Sequence, residues 1–474
     1  MKKILILLGA VAFLSSCGND LERYNVDPKN PESVAPEYMF SYGQWRIARQ
    51  IGDYNYNSNV SIFWANYATQ TTYIQESGYD ATNRDIGGSI WDNIYTEGLS
   101  ELKKAKEDLR ATQVGEAEQA TKNNKLAMIK IMEVFAYQYL VDNFGNVPFT
   151  EALDIDNVTP AYDDDEFIYM AIGDSLTDAI DKLTVGEPSF GEADLIYGGD
   201  VAKWKKFAHS IQLKMGIRLS ESNPGVASEW VNAAVDGGVF ESNADNATFD
   251  YTGTQPYINP IYEYFVVDSR NTDFVATEDF LALLNEENDP RVDIYYDDNL
   301  DGDMIGGVYG AAGNAYSELT HLNPEFTDNA THPTVLANYS TVLFELAEAV
   351  ERGFISGNAE EYYEMAIEAN FEFLGIGDQA DAYIAAHPYD SSNWEMSIGI
   401  QKYISLFFNP HEAWTEARRL GVPELATAPS TGLANPNRMI YPVEEVLINT
   451  ANYEEAASAM GGDNTTSTIF WDVD

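Results

Sequence analysis

The sequence predicts a mainly α fold, in which tetratricopeptide-like helical hairpins form a superhelical frame interrupted by a loop-rich central insertion. Two observations carry this. Between Val335 and Leu374, the residues Leu343, Leu346, Ala347 and Val350 recur at three- and four-residue spacing, and Ala359, Tyr363 and Ala366 continue it beyond a turn bracketed by Gly353 and Gly357. That spacing gathers apolar side chains on one helical face. The order of large and small residues is close to the tetratricopeptide pattern, in which small residues let two helices approach. Leu343 stands at its tryptophan position, Ala347 at its glycine, Ala359 at its alanine and Tyr363 at its phenylalanine, whereas Phe371 falls where it has proline. The second observation is that helical periodicity returns along most of the chain, whereas from 243 to 329 it survives only in Ala276 to Glu287. A hairpin with one apolar face must stack on a neighbour to bury it.

In chain order, residues 1–16 read as a lipoprotein signal: Lys2-Lys3, an apolar run Ile4 to Leu14, then Ser15-Ser16 before Cys17. The run is too short to span a bilayer, and the small residues mark a cleavage point. Cys17, the only cysteine of the chain, is the expected lipidated first residue, anchoring the protein to a membrane without threading it. Residues 17–36 are polar and proline-punctuated, a tether. Residues 37–474 then read as one domain. Helical patterns fall at about 37–50, 59–75, 89–112, 121–142, 162–183 and 201–221, the last two expected to pair. They return at 276–287, 334–374 and 395–420. The insertion, about 243–329, is rich in aromatics and turns, and a long irregular segment inside a helical frame usually carries function.

Composition bounds the partners. Seventy-six acidic against 27 basic residues give a formal charge of −49, which repels nucleic acid and anionic lipid at long range. Apolar content of 45% is enough for a packed core. Thirty tyrosines and eight tryptophans are ample for packing and also for a glycan-binding face.

Several phrases match one family in order. They are Phe144-Gly-Asn-Val-Pro-Phe-Thr-Glu-Ala-Leu153, Asp194-Leu-Ile-Tyr-Gly-Gly-Asp200 with Trp204-Lys-Lys-Phe-Ala208, and Asn288-Asp-Pro-Arg291. Ala347-Glu-Ala349, Gln401-Lys-Tyr403, Glu412-Ala-Trp414, Arg418-Arg419 and Arg438 to Pro442 follow. With the lipobox, the chain resembles the SusD/RagB family of Bacteroidetes outer-membrane lipoproteins. The resemblance implies a tetratricopeptide-like helical fold exposed on the outer face of the outer membrane. It also implies a SusC-like TonB-dependent transporter as partner, over which such a protein forms a lid that captures a glycan or other nutrient. Arg291, Trp414 and Arg418 are expected to fix loops and helix packing rather than touch ligand.

Sugar rings pack their C–H faces on flat aromatics and direct hydroxyls to amides and carboxylates. Two regions supply both groups: Asp53, Tyr54, Tyr56 and Asn57 with Tyr73, Tyr79 and Asp80, and Tyr257, Tyr309, Asn314 and Tyr316 in the insertion. These are the candidate ligand contacts. Asp297, Asn299, Asp301 and Asp303 alternate as in the start of a calcium loop, but Val308 stands where a bidentate Glu is required, so a solvated acidic turn is the reading preferred to a structural calcium. No other cofactor is expected. The five histidines are scattered, and the chain has no Gly-x-Ser-x-Gly elbow, phosphate loop or dinucleotide fingerprint. The expected activity is therefore binding without catalysis. A surface glycoside hydrolase or lyase, a scaffold lipoprotein and a peptide-capturing one are the alternatives.

Overall fold

In the computed structural model, residues 34–473 are described; the signal segment, Cys17 and the tether up to residue 33 lie outside them. The frame consists of α1 Pro36–Ile51, α2 Ser100–Ala111, α3 Gln119–Phe144, α4 Asp165–Lys182, α5 Val201–Arg218 and α6 Pro224–Gly237. It continues, after the insertion with its α7 Glu278–Glu286, through α8 Tyr339–Glu351, α9 Ala359–Phe373, α10 Trp394–Ser405, α11 Pro410–Leu420 and α12 Thr450–Ala459. Antiparallel hairpins α3–α4, α5–α6, α8–α9 and α10–α11 pack side by side. In α8–α9, Leu343, Leu346, Ala347, Ala359, Tyr363 and Ala366 are all buried, as the periodicity predicts. Among the described residues no helix is long and apolar enough to cross a membrane.

The pairing differs from expectation at one place. The helix at 162–183 packs on α3, and the partner of α5 is α6, which the Pro224-Gly225 dipeptide hides from a periodicity reading. Pro224 occupies the first turn, where its missing N–H costs nothing, and the Asn223 side chain accepts from Val226 N. The helix expected over 59–75 is also corrected. It reduces to one turn, Ser61–Trp64, before β1 Ala68–Gln70, because Asn66 and Tyr73 adopt left-handed backbone at φ 54° and 55°. β1 pairs antiparallel with β3 Phe274–Ala276, and β2 Ala247–Phe249 pairs with β4 Thr334–Ala337, where the sequence reads as helix. These two short ribbons stitch the insertion onto the frame.

Tyrosine hydroxyls close much of the irregular backbone. Tyr295 donates to Ile404 O at 3.0 Å, Tyr296 to Tyr67 O at 2.6 Å and Tyr403 to Ala65 O at 2.5 Å. A buried carbonyl without a partner is costly, and a phenol supplies a donor together with a large apolar surface.

A charged cluster lies at the centre. Arg218 on α5 donates to Glu416 and Glu412 on α11, each at 2.6 Å, and reaches Asp142 on α3 at 3.5 Å. Lys402 on α10 bonds Glu416 at 2.8 Å and faces Glu345 on α8 at 3.7 Å. Arg419 binds Glu348 through both terminal nitrogens at 2.6 Å and also bonds Glu416, while Arg352 and Lys214 add a cation each. Five cations thus face five carboxylates: Asp142, Glu345, Glu348, Glu412 and Glu416. Burial opposes the charge of Glu412, yet Arg218 and Lys214 hold it down at about 2. Glu345 is pushed up to about 7 by burial, which Lys402 at 3.7 Å offsets only in part while the Glu416 and Glu412 carboxylates add to the rise.

Removing one member of such a network leaves its partner charged, buried and unpaired. Arg419→Met is expected to cost about 3–5 kcal/mol. A urea titration followed by circular dichroism should show a large fall in midpoint; a midpoint unchanged would mean that the network carries no stability.

Candidate functional site

Helix α1 exposes one face and buries the other. Met39, Phe40, Ile47, Ala48 and Ile51 are buried, while Tyr38, Tyr42 and Trp45 follow one another at i, i+4 and i+7 along a single stripe. α1 is fixed from behind. Gln44 donates to Asp194 at 2.9 Å, the same carboxylate receives Trp204 Nε1 at 2.6 Å, and Phe40 stacks on Phe190 at 4.0 Å. The Asp194–Asp200 loop therefore locks α1 to the start of α5.

The second wall is a π-helical stretch, Asp92–Leu99, that runs into α2. Here two glycines have a physical reason. A Cβ on Gly43 would lie 2.9 Å from Leu102, and one on Gly98 would lie 3.0 Å from Ile47, so the helices cross closely only because both side chains are missing. The crossing carries Glu97 to Tyr42, whose hydroxyl donates to it at 2.5 Å, and sets Glu101 one turn further on. Burial, together with the Glu97 carboxylate, pushes Tyr42 up to about 12.

The third wall comes from the insertion: Phe249 and Asp250 at the end of β2, then a tight turn in which Thr252 N donates to Tyr257 O at 3.1 Å. Tyr257 packs edge-on against Trp45, with centroids 5.1 Å apart, and Trp45 packs likewise against Tyr42 at 5.4 Å. The walls enclose a cleft of about 570 Å³, within the roughly 300–1,000 Å³ of small-ligand sites. Tyr38 is 72% and Tyr257 47% exposed, so both rings are open to solvent. Trp45 is 8% exposed, and among the described residues its Nε1–H has no hydrogen-bond partner.

Of the residues proposed from sequence, Tyr257 joins this cleft. Several others are corrected by burial. Tyr54, Tyr56, Tyr79, Tyr309 and Asp53 lie in the interior. Tyr54 donates to Phe407 O at 3.3 Å, Tyr79 to Ala426 O at 2.7 Å and Tyr309 to Phe63 O at 2.8 Å, so these rings staple backbone. Asp53 accepts from Asn55 N and Ser58, holding its own turn. Asn314 ties its loop to Gln70 O and Val308, and Tyr316 stacks on His321 at 3.6 Å. Asp80 closes a turn with Thr82 and Asn83.

Two further candidates from the sequence, Tyr73 and Asn57, lie on a second surface. Tyr73 is 58% exposed, and Arg84 lies 6.0 Å from its ring and 4.7 Å from that of Tyr56 while donating to Asn57 at 2.9 Å. It is a flat cation–aromatic patch, with Arg84 also paired to Glu76.

The acidic turn departs from a calcium loop. Asn299 is turned back onto Leu319 O and His321 N, and Asp298 accepts from Gly302 N. Among the described residues no group of three or more His, Cys, Asp or Glu side chains is placed to hold a metal ion. Arg291 is fully buried on Asp289, Asn370 and Gln401. Trp414 donates to Asn435 and Pro436, and Arg418 to Asn437 O, each in a structural role.

The frame and its stitched-on insertion define a helical-hairpin protein of the tetratricopeptide-like class. The chain belongs to the SusD-like family, described as starch-binding and associating with the outer membrane, which matches residues 28–442. Among solved structures, a chitin-binding protein is 27% identical, with a TM-score of 0.82 over 93% of this chain and 100% of its own. A SusD homologue from Bacteroides thetaiotaomicron is 23% identical, with a TM-score of 0.78 over 93% and 100% of the two chains. A chitin-binding SusD homologue from Flavobacterium johnsoniae is 22% identical, with a TM-score of 0.78 over 92% and 98%. No curated protein matches the chain in sequence.

Exposed and buried tyrosines should separate by stability. Tyr79→Ala removes a buried ring and a carbonyl's donor and should cost about 3–5 kcal/mol, by analogy with other large aromatic truncations. Tyr38→Ala and Tyr73→Ala should change stability by less than about 0.5 kcal/mol. Thermal melts of the three variants check this.

Proposed function

We propose that the protein is a glycan-binding lipoprotein of the outer membrane that captures oligosaccharide in the cleft between α1, the Asp92–Leu99 stretch and the Tyr257 turn. The observation that carries this is the pair of exposed rings, Tyr38 and Tyr257, at the mouth of a cleft whose floor is Trp45. Tyrosine and tryptophan rings offer flat apolar faces to sugar C–H groups, and the phenol and carboxylates at the rim accept and donate to hydroxyls. The family description and a chitin-binding relative at 27% identity support a carbohydrate ligand.

The finer reading is that the chain, held by a lipid on Cys17 and facing the cell exterior, serves as lid and capture subunit of a SusC-like TonB-dependent transporter. Such a role needs no bond cleavage in the lid, only a difference in affinity between its open and closed positions. No cofactor is required.

Affinity electrophoresis of the full chain in detergent, through gels containing starch or soluble chitin derivatives, tests the binding. Retardation by at least one of them, without new reducing ends, is the expected result. Tyr38→Ala and Tyr257→Ala should each weaken binding about 3–10-fold, the worth of one aromatic contact. Release of reducing ends would establish an enzyme instead. Unchanged affinity in both variants would move the site away from the cleft.

A further inference from the structure

The charges around the cleft are one-sided. Glu97, Glu101 and Asp250 line it, and among the described residues no Lys, Arg or His does. Among the described residues neither Glu101 nor Asp250 has an ion-pair partner. Arg46, outside the lining, bonds Asn93, lies 5.2 Å over the Trp45 ring and pairs with Glu97 at 3.8 Å, so it offsets Glu97 in part and leaves Glu101 and Asp250 unpaired among the described residues. Burial and the Glu97 charge both raise Glu101, and the same carboxylates contribute to the raised Tyr42, so two neighbouring groups register the negative field. The aromatic lining adds to it. Ring faces carry negative quadrupole potential, and five aromatic residues, Tyr38, Tyr42, Trp45, Phe249 and Tyr257, line the cleft. By contrast, the Tyr73 patch holds Arg84 and, beside Tyr56, Arg270.

We propose that this cleft selects glycans bearing protonated amino groups, such as amino sugars lacking their N-acyl substituent, over neutral ones, and rejects uronate or sulfated chains. The proposal rests on the reading of the cleft as the glycan site and adds the chemistry of selection. An ammonium group placed among the rings meets cation–π attraction and up to three carboxylates. A uronate brings a further carboxylate to a wall whose described lining holds three carboxylates and no cation, and like charges brought together at an interface are unfavourable. Lysine side chains carry the same ammonium, but open flat rings at the cleft mouth suit the C–H faces of a sugar better than a flexible methylene stem.

The experiment is calorimetry of the full chain in detergent with β-1,4-linked tetramers of glucosamine and N-acetylglucosamine, with α-1,4-linked tetragalacturonate, and with tetralysine, at low and high salt. Glucosamine tetramer should bind about tenfold tighter than its N-acetylated counterpart at low salt, with the gap closing at high salt. Galacturonate should not bind. Glu97→Gln and Glu101→Gln together should bring the two amino-sugar tetramers to equal affinity and remove the salt dependence of the difference between them. Equal binding of both amino-sugar tetramers, unaffected by the glutamines, would overturn the selectivity yet leave the glycan site standing. Tight galacturonate binding would overturn the charge argument. Tetralysine as tight as glucosamine, with the same response to the glutamines, would replace the glycan with a basic peptide. Absence of binding by every sugar would overturn the glycan reading of the cleft itself.

Discussion

The arginines and glutamates at the centre of the frame hold five helices in one arrangement. Charges taken out of water cost more than their attraction returns unless each is paired and hydrogen-bonded, and here the pairing runs from α3 through α5, α8, α10 and α11. In a chain with a formal charge of −49, this cluster is balanced, five against five, so the surplus acid is left to the surface and loops. A hydrophobic seam alone would let antiparallel hairpins slide by a turn. Bidentate contacts such as Arg419 on Glu348 tolerate no such slip.

That constraint reaches the cleft through α5. Its C-terminal end carries Arg218 into the charged centre, and its N-terminal end carries Trp204 onto Asp194, the residue that also receives Gln44 of α1. Eighteen residues at 1.5 Å rise make a strut of about 27 Å. Tyr38, Tyr42 and Trp45 therefore stand on an element braced at a distance, facing a helix held close by Gly43 and Gly98. Only the third wall, the Tyr257 turn, belongs to irregular chain. Rigid walls with one adaptable side suit a ligand whose specificity comes from ring faces and charge more than from enclosure.

The frame was legible because helical periodicity reports burial directly, and the phrases that carry the family resemblance hold the core. Ala347-Glu-Ala349, Gln401-Lys-Tyr403, Glu412-Ala-Trp414 and Arg418-Arg419 contribute Glu348, Lys402, Glu412 and Arg419 to the charged cluster. Helix α6 and the strands were hidden by proline, glycine and short length. The site was less legible for a specific reason. Tyrosine in a loop reads the same whether its hydroxyl meets water or a backbone carbonyl, and here the irregular backbone needs many phenol donors, so Tyr54, Tyr79 and Tyr309 face inward. Conversely, Tyr38, Tyr42 and Trp45 share a helix with buried residues, and their i, i+4, i+7 stripe resembles packing. Its one signal was a second aromatic stripe on a helix whose apolar face was already complete with Phe40, Ile47 and Ile51.

A crystal structure of the protein soaked with amino-sugar oligomers would locate the ligand relative to α1 and the Tyr257 turn. Sugar rings are expected against Tyr38 and Tyr257, with an amino nitrogen within hydrogen-bond reach of Glu97, Glu101 or Asp250. Sugar seated instead on Tyr73 and Arg84, with the cleft empty, would contradict this placement.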